Sequence, residues 1–397
     1  MKPLRNIKVL DLSKVIAGPL CAQYLGDLGA DVIKVEPPGV GDDTRSWQPQ
    51  DQGVSSTFLS VNHNKRSLVL DLKTQEAKAV VQRLVSQVDI VLQGFGGGTA
   101  ERLGVDYESL RQFNSRLIYC EISGYGREGP KGKDPGYDVM LQAFSGMLAT
   151  MGDENGGFAR ASFSPVDIAT AIYGFSGILA ALLERGNTGK GAYIEVSLLD
   201  SALGLMTYPV QNFLRTGAVP RRMGTGHPAM APYQAFHAKD GPMMLGVGNE
   251  AQWRRLCQVA GLHEIVDHPD FATNADRVAN RERIVAIFQE CVAQKTVQEW
   301  LTLCESAGVP CSPIHTLDQA LEHPQVFSRK LMAESDHPVL GRIANVGLPV
   351  RFDGAPRTTT RTPPLLGEHN IEILREAGYS QAEIDALHSS GALGGTD

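Results

Sequence analysis

The chain has 397 residues, room for two or three domains and a large buried core. Hydrophobic residues make up 42% and charged residues 20%, the balance of a globular enzyme, and a net charge of -7 lacks the basic excess of a nucleic-acid binder. The 6 cysteines form no CxxC pair, the best apolar run (172–183) falls short of a membrane span, and the first residues enter a strand pattern without a leader, so a cytoplasmic protein with no membrane and no nucleic acid as partner is expected.

Residues 7–12 read as a buried strand, 13–18 as a loop, and 19–28 as a helix opened by Pro19 and closed by Gly29. A second strand, 31–36, stops at Pro37-Pro38-Gly39 and completes a βαβ unit whose first crevice lies at 14–18. Alternation continues with strands at 67–72, 89–93 and 117–122 and helices at 74–87 and 107–112. A loop rich in Gly, Pro and charge occupies 123–137, before a helix at 139–150. An apolar helix then runs from Ser164-Pro165 to about Glu184, with a strand at 192–197. This pattern predicts an α/β fold: a large Rossmann-like, parallel-sheet domain spanning 1–215, with 331–397 returning to it. Gly, Pro and Arg crowd 215–232 and mark a boundary. Short strands at 235–236 and 243–247 and helices at 251–260, 281–294, 296–307 and 317–321 predict a smaller α+β domain over 225–330.

Asp167 stands at the lip of the apolar helix. Ser164-x-x-Asp167 fits a capping box, with Pro165 at the first helical position. The same place, at the positive end of a helix dipole, favours an ionised carboxylate, which can attack an acyl group where water is excluded. On these residues alone both roles stay open. Glu36 sits where a nicotinamide enzyme places its ribose-binding acid, but Ser13-Lys14-Val15-Ile16-Ala17-Gly18 is not GxGxxG. The 10 histidines form no HxxxH and no GxSxG is present, so neither a metal site nor a serine triad is expected. Arg45, Lys65, Arg66, Lys73 and Arg102 lie in or beside loops, each a solvated charge or part of an anion site. Loops at the carboxyl ends of parallel strands gather along one edge. Lys73, the 93–98 loop and the first crevice can therefore face one phosphate-bearing ligand.

Several stretches, in their order and spacing over nearly the whole chain, resemble the family III CoA-transferases (the CaiB/BaiF family). They are Val9-Leu10-Asp11-Leu12 followed by Ala17-Gly18-Pro19, the run from Leu25-Gly26-Asp27 to Val35-Glu36, Gly41-Asp42-Asp43-Thr44-Arg45, and Asn64-Lys65-Arg66-Ser67. Gly124-Tyr125-Gly126, Gly136-Tyr137-Asp138, Thr188-Gly189-Lys190-Gly191 and Ala231-Pro232-Tyr233-Gln234-Ala235-Phe236 complete the set. The chain looks closest to relatives that use succinyl-CoA and dicarboxylates. In that family the essential aspartate stands at the position of Asp167, so the resemblance favours nucleophile over cap. It implies transfer of CoA from an acyl-CoA to a carboxylic acid through an aspartyl anhydride and an enzyme–CoA thioester. Coenzyme A is then substrate and product, with no permanently bound cofactor. It further implies CoA contacts at Val15, Ala17, Leu70, Lys73, Phe95, Arg102 and Tyr137. A glycine loop, Gly246-Val247-Gly248-Asn249, would cover the reacting centre and offer N–H donors to an oxyanion. An interlocked homodimer is implied as well. Arg160 is either a clamp for a distal carboxylate or a solvent-exposed charge.

The chain departs from the family in places. Gln93-Gly94-Phe95 replaces a common Glu-Asn-Phe, and Ile16 replaces the Gln of formyl-CoA transferase, which makes formate–oxalate exchange a poor fit. An α-methylacyl-CoA racemase is the alternative within the family, but Tyr137 stands where racemases carry a His base. An acyl-CoA-binding module and a nicotinamide oxidoreductase are the outside alternatives.

Overall fold

Six short apolar stretches pair into one sheet: β1 (Lys8–Asp11), β2 (Asp31–Glu36), β3 (Lys65–Val69), β4 (Ile90–Gln93), β5 (Ile118–Ser123) and β6 (Ala192–Ser197). In the computed structural model, which describes residues 1–354 and 359–395, their order is β3-β2-β1-β4-β5-β6 and every pairing is parallel. Strand β3 starts at Lys65, not at 67, and Leu70 leaves the ladder to bridge Leu393. Helices α1 (Ala17–Asp27), α2 (Gln75–Val85), α3 (Asp138–Phe144), α4 (Pro165–Thr188), α5 (Leu198–Leu205) and α6 (Thr207–Thr216) join or follow the strands. The helix expected at 139–150 is thus shorter, ending at Phe144.

Helix α4 corrects another expectation. Its 24 residues make it long and apolar enough to cross a membrane, by length and composition alone. The sequence hid this because Gly174, Ser176 and Gly177 interrupt the apolar run while the backbone continues as helix. At 1.5 Å per residue it extends roughly 36 Å.

Met1–Met147, Ala161–Ala218 and Arg329–Asp397 form one compact unit, and Leu148–Arg160 with Val219–Ser328 form another. The second holds an antiparallel sheet of β7 (Tyr233–His237), β8 (Pro242–Gly246) and β9 (Cys311–Pro313), with β8 central. Helices α7 (Glu250–Ala260), α8 (Arg281–Val292) and α9 (Val297–Ala307) close over a core built on Phe236, Trp253, Phe288 and Trp300. Residues 148–160, read from sequence as part of 1–215, belong here instead. Gly152 O accepts from Gly224 N–H at 2.9 Å, and Arg222 donates to Glu154 O at 3.3 Å.

The chain returns to the first unit through a hairpin, β10 (Met332–His337) and β11 (Gly341–Val346), then α10 (Asn370–Glu376) and α11 (Gln381–Ser389). Alternate strand residues explain why both sheet faces are covered. Leu10, Ile33, Leu68 and Val91 face a core shared with α2, α10 and α11. Against the other face pack α1 and α4. The returning segment also caps the edge of β3: Asn370 Oδ1 accepts from Val69 N–H at 2.8 Å, and Arg66 reaches Glu372 and Glu376.

Candidate active site

The strand order reverses between β1 and β4, so the chain ends leaving these two strands diverge and open a crevice at the carboxyl edge. Their loops, 13–18 and 94–96, line a cavity of about 230 Å3 together with 122–124, Arg127, 134–137, Asp167 and Leu198. Gly124 and Gly136 cross in its wall. A Cβ on Gly124 would lie 2.6 Å from the Gly136 nitrogen, so a side chain at either position would push the two loops apart.

Buried charges hold the 13–18 loop from below. Lys34 Nζ donates to Ser13 O at 3.0 Å and pairs with Asp42 at 2.8 Å. Asp42 Oδ1 accepts from Val15 N–H at 3.3 Å, and Asp11 Oδ1 accepts from Ser13 N–H at 3.0 Å. Lys65 Nζ pairs with Asp11 at 3.0 Å, and all four charged side chains are buried. Burial disfavours the charge on Asp42, but Lys34 and the Thr44 donors outweigh it and bring the carboxyl down to about 2. Burial likewise lowers the Lys65 ammonium, to about 8, against the pull of Asp11. Val15 has φ 71°, a left-handed conformation that costs a β-branched residue on the order of 1–3 kcal/mol.

Asp167 occupies the third position of α4, after Pro165. The capping box expected from Ser164 and Asp167 is not formed, because the Ser164 side chain makes no cap bond. Asp138, at the start of α3, takes its place: its Oδ2 accepts from Val166 N–H at 2.8 Å and Asp167 N–H at 3.1 Å. The Asp167 side chain is therefore not needed as a cap. Among the described residues no hydrogen bond or ion pair reaches its carboxylate, although the residue is only 8% exposed. Burial first, and the neighbouring Asp138 charge second, raise its carboxyl to about 7. The helix dipole acts the other way, by up to about 2 kcal/mol. That is less than the roughly 4 kcal/mol that such a displacement represents. The dipole therefore offsets only part of what burial and Asp138 impose.

Val15, Ala17, Phe95, Tyr137 and Asp167 meet in the one cavity. Leu70 does not join them; its side chain is in the hydrophobic core, 1% exposed. Lys73 and Arg102 are exposed on chain that follows β3 and β4, along the same carboxyl edge but outside the cavity lining. Lys65 and Arg66 are buried and Arg45 is half-buried, and each is paired with an acid rather than open to a ligand, since a charge drawn from water needs a partner. Arg45 forks onto Glu36 at 2.7 Å and stacks on Phe58, and Arg66 holds Asp31.

In the second unit, Arg160 is exposed. The donors expected from the glycine loop are already engaged: Gly246 N–H bonds Pro310 O, Val247 N–H bonds Pro232 O, and Gly248 N–H bonds Gln252 Oε1. Asn249 caps α7 through Gln252 N–H. Sequence reasoning missed Asp138, Gln142 and Arg127. Arg127 lines the cavity, donates to Phe95 O at 2.9 Å and pairs with Glu121. The Gly136-Tyr137-Asp138 run was the available signal for Asp138, but nothing local pointed to a helix start 28 residues away.

A doubly wound sheet, a cavity at its switch point and a buried carboxylate opening into it suit a covalent acyl-transfer enzyme. The family model for CoA-transferase family III matches residues 4–370, and the chain belongs to that family of CoA-transferases. It is 38% identical over 395 residues to the human succinyl-CoA:glutarate CoA-transferase, covering 99% of this chain and 90% of that one. The succinate–glutarate CoA-transferase of Agrobacterium fabrum is 38% identical over 381 residues, covering 94% and 95% respectively. A solved CaiB/BaiF family protein from Brucella suis matches with a TM-score of 0.83 at 36% identity, covering 94% of this chain and 99% of that chain.

Proposed function

We propose that the protein moves CoA from succinyl-CoA or a similar donor to a dicarboxylic acid, with Asp167 as the covalent nucleophile. The observation that carries this reading is a buried carboxylate that no hydrogen bond or ion pair reaches among the described residues, opening into a cavity at the sheet's switch point. The names of the human and Agrobacterium fabrum relatives support the choice of acids.

In the first step an Asp167 oxygen bonds to the donor carbonyl carbon, the C–S bond breaks, and CoA leaves as thiolate. The thiolate then bonds to the Asp167 carbonyl carbon, the anhydride C–O bond breaks, and the donor acid departs as carboxylate. The acceptor carboxylate attacks the resulting thioester and releases the thiolate again. Attack of the thiolate on the acceptor's acyl carbon gives the new acyl-CoA and restores Asp167. No proton is gained or lost over the cycle, and a closed site keeps the anhydride from water. Val15, Ala17, Phe95 and Tyr137 would flank the thioester end of CoA, with Lys73 and Arg102 placed for its phosphates along the open edge.

The active form on this reading is an interlocked homodimer. Helices α4, α5 and α6 support it, because they expose Ile172, Tyr173, Leu183, Leu205, Phe213 and Leu214.

Incubation with succinyl-CoA and no acceptor should add the mass of CoA less one water to the wild-type chain, on Asp167. Asp167→Asn should show no adduct and lose turnover by at least about a thousandfold. Wild-type turnover with no adduct under any trapping condition overturns the mechanism.

A further inference from the structure

Asp138 lies at the N-terminus of α3, next to Tyr137 in the cavity wall, and is 8% exposed. Its Oδ2 takes the backbone N–H groups of Val166 and Asp167, and its Oδ1 takes the Gln142 side-chain amide. Three donors and no acceptor suit a carboxylate. Gln142 is fully buried, and its Oε1 has no partner among the described residues, so its orientation is set by the bond to Asp138.

We infer that Asp138 is the positioning residue of the nucleophile: it fixes the start of α4 in place of Ser164 and sets a second negative charge beside Asp167, so that acylation of Asp167 relieves a repulsion built into the resting site. The inference rests on the reading of Asp167 as nucleophile. When an Asp167 oxygen bonds to the thioester carbon and the C–S pair leaves with sulfur, the charge beside Asp138 departs on the thiolate. The resting carboxylate is destabilised and the neutral anhydride is not, which is a differential effect on the reaction. The raised Asp167 carboxyl agrees with this arrangement.

Other ionisable groups surround α4. Its packed neighbours carry Tyr24 and Cys21 on α1, Cys120 and Glu121 on β5, Glu195 on β6 and Asp200 on α5. The cavity wall adds Lys14, Asp43, Arg127 and Asp134. Among the described residues, Asp138 is the charge that raises the Asp167 carboxyl, second to burial.

The test measures the rate of CoA-adduct formation from succinyl-CoA against pH for wild type, Asp138→Asn, Asp138→Glu and Asp167→Asn, all as the full-length protein. Asp138→Asn keeps an oxygen for the two N–H groups but removes the charge. Its acid limb should move down by about one pH unit or more, and its rate at pH 8 should fall roughly tenfold. Asp138→Glu should return the limb toward wild type. An acid limb unmoved in Asp138→Asn, with rates within about twofold of wild type, overturns the inference. So does a wild-type infrared carboxyl band, absent from Asp167→Asn, that titrates near the ordinary value of about 4; this reading needs no Asp138 variant to fold. Full adduct formation by Asp167→Asn would instead overturn the nucleophile reading itself.

Discussion

Asp167 bears a cost in the folded chain that an amide would not. The folded state keeps its proton up to about pH 7, because of burial and then Asp138, whereas an unfolded chain releases it near 4. Between those values the folded state binds more protons, so this residue makes stability fall as pH rises. Asp167→Asn should therefore unfold at higher temperature or urea concentration than wild type at pH 8, by up to roughly 4 kcal/mol. The difference should close near pH 4, and urea titrations at both pH values check it. If Asp167 is the nucleophile proposed above, activity should respond in the opposite sense, with adduct formation failing as pH drops below about 7 because the protonated acid cannot attack. Pro165 and the apolar run made the helix start legible, so Asp167 could be singled out from sequence. The cap could not, because Asp138 reaches it across 29 residues through a fold that brings α3 beside α4.

At the scale of elements, the loop after β1 is held by charge where a dinucleotide-binding turn would use glycines. Lys34 on β2 and Asp42 after it grip Ser13 and Val15, while Lys65 on β3 steadies Asp11 on β1. Removing one member leaves an unpaired buried charge, so Lys34→Met should lower unfolding free energy by about 3–5 kcal/mol. Val15 should then relax from its left-handed backbone, and the KM for succinyl-CoA should rise more than kcat falls. Equilibrium unfolding and steady-state kinetics on the one variant check both halves. Most strands were legible because they are short apolar runs bounded by Gly, Pro or Asp, a local signal, whereas β3 opens on Lys65-Arg66, two residues before its expected start. The destinations of Arg45, Lys65 and Arg66 were not, because each finds its acid on another strand: Glu36 and Asp31 on β2, Asp11 on β1. Sequence shows that they are basic and close to loops, and does not show that they are paired with acids.

The whole molecule leaves a large apolar surface uncovered. Only 33% of the most apolar stretch of α4 is buried within the chain, and Leu183 and Leu214 are 76% and 69% exposed. Large apolar side chains left exposed on α4, α5 and α6 are the kind of surface that meets another. On the homodimer reading, light scattering should give the mass of two chains, and Leu183→Glu with Leu214→Glu should shift the population toward one. A wild-type protein that stays single at micromolar concentration counts against the dimer. The α/β alternation and the compositional break near 215–232 were visible in sequence, but the attachment of 148–160 was not. That segment is held by the backbone of Gly224 and by Arg222, contacts that no local pattern encodes.

One unit is assembled from three stretches of chain and the other from two, so the polypeptide passes between them four times. A protease that cuts between 218 and 219 would free neither unit, since each retains material on both sides of the cleavage. Nicked protein should elute as intact protein does and separate into fragments only in denaturant.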